Sequence, residues 1–264
     1  MDDSTPSDLD RQARALLERW GTPKRRARPR VSRAMMDAEE HEIALPSGPL
    51  AAWRLGVGPG ILLVHGWEDD NALWGPLADQ FAGIGRAVIT MDLPGHGFTQ
   101  ATDASPRGAA KAVREAAKAL GPIDAVVGHS YGCTASIVAL AQGLDAARAV
   151  MIASPIPRTG PRRRHPDRED DAPPEVVERA LQLRAEGEDA RRQQVEEMIG
   201  AMTAPALIVH SIDDEQCPVG NAQRMAELWP GSELLLVDGQ GHRFVAQDAA
   251  VLQRVVEFCE TYRG

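Results

Sequence analysis

Ser130 sits at the centre of Gly128-His129-Ser130-Tyr131-Gly132, between the β-branched run Ile123 to Val127 and a small-residue stretch beginning at Cys133. A G-x-S-x-G pentapeptide in that setting reads as strand, sharp turn and helix. Its glycines let neighbouring backbone pass, and its serine oxygen is exposed beside a helix amino terminus. The competing reading is a glycine-rich tight turn with an incidental serine. A hydroxyl is a poor nucleophile at neutral pH, so it needs a base, and the base needs an orienting acid. Downstream, the run PALIVHS ends in Asp213-Asp214 and the run SELLLVDG ends in Gly241-His242. Both lie at the carboxyl ends of predicted strands, where open α/β sheets gather their sites. The chemistry these types permit is acyl transfer to water, with His242 taking the serine proton and one aspartate holding the imidazole.

The elements that must position these groups follow from periodicity. HEIAL and LAAWRL, from His41 onward, predict an antiparallel opening hairpin. ILLVHG, RAVITMD, IDAVVGH, ARAVMIAS, PALIVHS and SELLLVDG predict successive buried strands. Helical stretches fall between them at Ala72 to Gly83, Pro106 to Leu120, Tyr131 to Gly143, Asn221 to Trp229 and Asp248 to Tyr262. Alternating strands and helices imply right-handed crossovers and a mostly parallel sheet covered on both faces, an α/β class. Gly56, Gly58 and Gly60 precede a strand instead of opening a helix, which makes them a hairpin turn and not a nucleotide loop. Residues 1–40 are expected to form a helix, Ser7 to Trp20, and a basic arm, Lys24 to Arg33, read as a solvated linker or packing arm. Residues 41–264 form the catalytic domain, with a lid inserted at about 155–203. The lid opens with a proline- and charge-dense segment and closes with one polar helix, about Pro174 to Met202, whose Val195, Met198, Ile199 and Met202 share a stripe.

The segments His65-Gly66-Trp67-Glu68, Asp92-Leu93-Pro94-Gly95-His96-Gly97, Gly128 to Gly132 and Gly241-His242-Arg243 together resemble those of the α/β-hydrolase superfamily, in particular a group of bacterial esterase-like serine hydrolases. The likeness runs from about His41 to the carboxyl terminus, and the order Ser, Asp, His is that described for the superfamily. It implies an α/β-hydrolase fold and a triad of Ser130, Asp214 and His242. The choice of Asp214 over Asp213 follows the family spacing of acid to proline, here met by Cys217-Pro218, although Ser211 stands where the family pattern has glycine. The resemblance also implies an oxyanion hole formed by the backbone N–H groups of Trp67 and Tyr131. Trp67 and Trp74 are candidate pocket walls, with core packing the alternative for each. His65, His96, His129 and His210 are expected to make loop hydrogen bonds, and His165 to be solvated in the lid.

Composition bounds the rest. The 264 residues, 43% apolar and 25% charged, suit one soluble globular fold, and a net charge of −9 disfavours nucleic acid and anionic membrane as partners. Three scattered cysteines fit neither a disulfide framework nor a zinc site, and no metal-ligand spacing or organic cofactor is signalled. With no signal-like amino terminus and no long apolar run, a cytoplasmic location is expected. The expected partner is a small-molecule ester, with a homodimer among the allowed assemblies. A lid rich in arginine and acid favours small soluble esters. A thioesterase, lactonase or carbon–carbon bond hydrolase shares the same triad, and a noncatalytic ligand-binding protein of the same fold is the rival from another class. Epoxide and haloalkane hydrolysis are disfavoured, because relatives doing that chemistry carry aspartate at the Ser130 position.

Overall fold

In a computed structural model the described residues are 7–29, 32–156 and 172–261, and they divide with the chain into two compact units. The proline- and charge-dense start of the expected lid, residues 157–171 with His165, lies outside them. One unit comprises Met1–Thr22 and Pro157–Val195, the other Pro23–Ile156 and Glu196–Gly264.

In the first unit, helix α1 (Asp8–Trp20) begins on a Ser7 cap whose hydroxyl accepts the Asp10 N–H at 3.1 Å. Ala13 and Leu16 on its apolar stripe bury against Val176, Val177 and Ala180 of a later helix, and Arg179 pairs with Asp10 at 2.5 Å. The expected single lid helix is two helices. The first ends at Ala185 and the second starts at Glu188, because Gly187 takes a left-handed φ of 73° and breaks the repeat.

The second unit is built on an eight-stranded sheet. Its strands are β1 (Glu39–Leu45), β2 (Gly48–Leu55), β3 (Gly60–Val64), β4 (Ala87–Met91), β5 (Ile123–His129), β6 (Ala146–Ile152), β7 (Ala206–Ser211) and β8 (Ser232–Val237). Their order is β1-β2-β4-β3-β5-β6-β7-β8, antiparallel only at the β1–β2 and β2–β4 pairs, so the mostly parallel sheet expected from the alternation is present. The glycine turn at residues 56–60 joins β2 to β3, which do not pair because β4 lies between them, so it is a connection and not a hairpin turn. β8 is an edge strand with Leu234 39% exposed, and not the buried strand its apolar run suggested.

Helices fill both faces. Numbering in chain order, α2 (Arg33–Met36), α3 (Gly75–Gly83, after a 3-10 turn at Asn71–Trp74), α4 (Pro106–Leu120) and α5 (Tyr131–Ala141) precede β6. The segment expected as a lid holds α6 (Pro174–Ala185) and α7 (Glu188–Gly200), and α8 (Gly220–Leu228), α9 (Gly241–Phe244) and α10 (Ala249–Thr261) follow. Ile61 and Leu63, Ala125 and Val127, Val150 and Ile152, Leu207 and Val209 point to the face where Leu77, Phe81 and Phe258 pack. The alternate residues, among them Leu62, Val64, Val126 and Met151, are also wholly buried, so the sheet has no wet central face. Helix α5 is apolar all round and built largely of small residues, which suits its place against β5 and α4.

Strand order reverses between β3 and β5, the switch point at which α/β sheets open a crevice beyond their carboxyl ends. There α5 starts hard against the end of β3: a Cβ on Gly132 would lie 2.2 Å from the Val64 carbonyl oxygen and 2.6 Å from that of His65. Gly132→Ala is therefore expected to lower the unfolding free energy by about 1–3 kcal/mol or more, as overpacking against fixed backbone does. Gly220→Ala, whose Cβ would meet nothing within 4 Å, should be close to neutral; urea unfolding of the two variants beside wild type measures the contrast.

Candidate active site

Ser130 follows β5 directly and precedes α5, with φ 50° and ψ −117°, a conformation a residue with a Cβ adopts only under constraint. Three contacts impose it. The Ser130 N–H donates to the Ile152 carbonyl at 2.9 Å, the Ser130 carbonyl accepts from the Cys133 N–H at 2.9 Å, and Gly128 lies so close to Cys133 that a Cβ would come within 2.8 Å of its nitrogen. The turn aims the hydroxyl outward, where Oγ lies 2.9 Å from His242 Nε2.

His242 is on α9, after β8, and its Nδ1 lies 2.7 Å from Asp214 Oδ2 on the loop after β7. A carboxylate only accepts, so Nδ1 carries the proton and Nε2 is left with the lone pair that faces the serine hydroxyl. The other Asp214 oxygen accepts the N–H groups of Gln216 and Cys217, each at 2.8 Å. Burial pushes the Asp214 carboxyl up, but His242 and these two amides outweigh burial and hold it below the ordinary carboxylate range. Ser130, Asp214 and His242 are thus brought into one hydrogen-bonded chain.

Asp213, adjacent in sequence, is exposed and faces elsewhere. Its carboxylate accepts the Ser211 hydroxyl and the Gly241 N–H, while Ser211 Oγ accepts the Gln240 N–H at 3.2 Å. In the sequence Asp213 stands only as a rival acid and Ser211 only as a departure from the family pattern. Together they grip the backbone just before His242.

The turn after β3, which carries Trp67, comes up against Ser130: a Cβ on Gly66 would lie 3.1 Å from Ser130 Cβ. Tyr131, at the first position of α5, has an amide with no acceptor inside its helix. The half-buried Trp67 ring stands edge-on to Tyr131 and to His96, each with centroids 5.3 Å apart, and Tyr131 donates its hydroxyl to the Ala104 carbonyl at 2.7 Å. Trp74, the other candidate wall, is fully buried in the main core with Leu77 and Phe81. Its place is core packing, because it shares one helical face with Leu77, Ala78 and Phe81, all of them buried.

Four buried histidines act as braces between loops. His65 Nδ1 donates to the Gly66 carbonyl at 2.7 Å while Nε2 accepts the Leu93 N–H at 2.9 Å. His96 bonds the Pro94 carbonyl at 2.9 Å, His129 the His242 carbonyl at 2.9 Å and His210 the Cys217 carbonyl at 2.7 Å. His65 and His129 reach from a strand end to a separate loop, His210 to the loop that follows its own strand and His96 within its own loop, in line with the loop-bonding role expected of them.

Among the described residues, Asp214, Cys217 and His242 are the group whose ligand-type atoms converge, within 4.8 Å of one another. Two of the three are already bonded to each other. Cys133 and Cys259 are buried, and burial pushes each thiol up to about 12, which leaves neither a nucleophile near neutral pH.

Residues 61–254 match the family model described as Alpha/beta hydrolase family. A pimeloyl-[acyl-carrier protein] methyl ester esterase of Chromobacterium violaceum is 26% identical over 255 residues, spanning 78% of this chain and 96% of that protein. An esterase from Exiguobacterium antarcticum shares 17% identity with a TM-score of 0.67, covering 84% of this chain and all of that one. A carboxylesterase from Bacillus subtilis shares 17% identity with a TM-score of 0.64, covering 96% and 97% of the two chains. At these identities the superpositions establish the fold.

The braces make stability depend on pH. Burial, then the neighbouring His65, depresses His96 to about 4; burial, then His242, does the same to His129. Both are neutral in folded and unfolded chains above about pH 6.5. Below it the unfolded chain takes up protons that the folded one refuses, so stability falls as pH drops from 6.5 toward 4. The loss per histidine should reach about 1 kcal/mol at pH 5.5 and about 3 kcal/mol at pH 4. Urea unfolding at pH 7, 5.5 and 4.5 measures the slope, and His129→Asn is expected to flatten it by one histidine's share.

Proposed function

The chain belongs to the alpha/beta hydrolase family, and on that premise we propose that it is a carboxylesterase whose nucleophile is Ser130, general base His242 and orienting acid Asp214. The observation that carries this reading is the pair of contacts at His242, 2.9 Å from Nε2 to Ser130 Oγ and 2.7 Å from Nδ1 to Asp214 Oδ2. Nε2 takes the hydroxyl proton as Oγ attacks the ester carbonyl. Asp214, kept anionic by its lowered pKa, stabilises the imidazolium and holds its tautomer. The carbonyl oxygen, becoming an oxyanion, is met by the backbone N–H groups of Trp67 and Tyr131, preorganised by the close packing of Gly66 and Gly132. The imidazolium then protonates the departing alcohol. A water, deprotonated by Nε2, attacks the acyl-serine and regenerates Ser130.

The substrate class we favour is a small soluble carboxylic ester. The methyl ester named for the Chromobacterium violaceum relative makes methyl esters the first alcohol portion to test. Buried free cysteines support a cytoplasmic setting, and among the described residues no helix is long and apolar enough to cross a membrane.

Hydrolysis of a p-nitrophenyl ester series, with fluorophosphonate labelling, tests the assignment. Ser130→Ala should lose both labelling and turnover. Asp214→Asn should stay folded but lose about 10⁴ in kcat, because the imidazole falls into the wrong tautomer. A folded Ser130→Ala that still turned ester over would sink the proposal. Labelling without turnover on any ester would redirect it to thioesters, lactones or carbon–carbon bonds.

A further inference from the structure

The first part of the basic arm, residues 24–29, runs along the turn that carries Trp67 and is bonded to it at several points. The Lys24 N–H donates to the Glu68 carboxylate at 3.1 Å, and the Arg25 guanidinium donates to the carbonyls of Gly97 and Thr99 at 3.3 and 2.6 Å. Arg28 contributes most. Its backbone N–H donates to Asp70 Oδ2 at 2.8 Å, its Nε to Asp70 Oδ1 at 3.1 Å, its Nη2 to Asp70 Oδ1 at 2.9 Å, and Nη2 also to the Asp69 carboxylate.

Asp69 and Asp70 are 3% and 1% exposed. Two buried carboxylates on consecutive residues are costly unless cations meet them. Among the described residues, the cations that do so are Arg28 for both and, for Asp69, also Arg243 at 3.6 Å. Arg243 is the residue after His242. One carboxylate is therefore held on one side by the arm and on the other by the loop of the general base.

The backbone beside these carboxylates is the turn of the oxyanion donor. The Asp69 N–H closes it on the Gly66 carbonyl at 3.4 Å, and Glu68 inside it has a left-handed φ of 54°, which needs outside support in a residue with a side chain. An unmatched negative charge at this place would also oppose the oxyanion directly.

We propose that Arg28 is a positioning residue for ester hydrolysis: through Asp69 and Asp70 it fixes the Gly66–Asp69 turn so that the Trp67 N–H faces the oxyanion, and through Asp69 it ties that turn to Arg243 beside His242. The inference rests on the serine-esterase reading. It gives the basic arm a function in the transition state, with no contact between Arg28 and substrate.

The test compares full-length wild type, Arg28→Ala and Arg28→Lys in steady-state hydrolysis of a p-nitrophenyl ester and in binding of phenylboronic acid, which becomes tetrahedral and anionic on the serine. Arg28→Ala should lower kcat by about tenfold to a hundredfold, short of the 10²–10³ seen when an oxyanion donor is removed outright. KM should stay within about twofold, and boronate affinity should fall in step with kcat. Arg28→Lys, which restores the charge without the planar fork, should recover part of both. A kcat within twofold of wild type, or a loss that the boronate does not share, overturns the inference. If Arg28→Ala does not fold, the lysine variant decides by the same two readouts. A wild type that neither hydrolyses ester nor takes up a fluorophosphonate removes the esterase reading and this inference with it. An active wild type with silent Arg28 variants removes only the inference.

Discussion

The left-handed turn at Ser130 costs on the order of 1–3 kcal/mol in an ordinary residue, and it persists because the surrounding backbone leaves the chain no other path. Gly132 presses on the carbonyls of Val64 and His65, Gly128 on Cys133, and Gly66 on the serine itself. These approaches are possible only because β3 and β5 are neighbours at the point where strand order reverses. The same packing that strains the serine brings the backbone of Gly66 against it. Exposure of the serine hydroxyl and the approach of the turn after β3 are two results of one steric arrangement.

Around that turn the site is held by buried polar groups bonded across its loops. His65 ties β3 to the loop after β4, His129 ties β5 to the loop after β8, and His210 ties β7 to its own following loop. Asp92, fully buried, accepts the backbone N–H groups of Asn71 and Phe98 at 2.7 and 2.8 Å and so joins two loops. Each brace replaces a hydration shell with a fixed partner, which keeps the crevice preorganised. The carboxylates beside it divide their work by direction: Asp214 faces the imidazole, Asp213 the backbone behind it, Asp69 and Asp70 the arm.

Much of this was legible in the sequence because strand ends are marked by composition. The runs before Ser130, Asp214 and His242 are short and apolar, and the polar residue that ends each one falls at the carboxyl edge of the sheet. Features that depend on partners distant in sequence were less visible. The polar helix predicted through residue 187 is interrupted by a single glycine whose φ no periodicity records. Trp74 stands at helical spacing with Leu77, Ala78 and Phe81 on the buried face, and nothing local distinguishes a core wall from a pocket wall. The apolar run of β8 suggested a buried strand, yet its position at the sheet edge depends on topology. The arm's arginines and the acidic run Glu68-Asp69-Asp70 both stand in the sequence, but 41 and 42 positions separate Arg28 from Asp69 and Asp70, and nothing local pairs them.

The edge position of β8 has a further meaning for durability. That strand has one hydrogen-bonded neighbour and a half-exposed surface, while the strand leading to Ser130 is flanked on both sides and wholly enclosed. Segments with few buried contacts open first, well below the free energy of global unfolding. β1 is the other edge of the sheet, so the imidazole follows one of its two outermost strands and the hydroxyl follows one of its enclosed ones. On the serine-esterase reading, mild denaturant is expected to part the imidazole from the hydroxyl before the core opens.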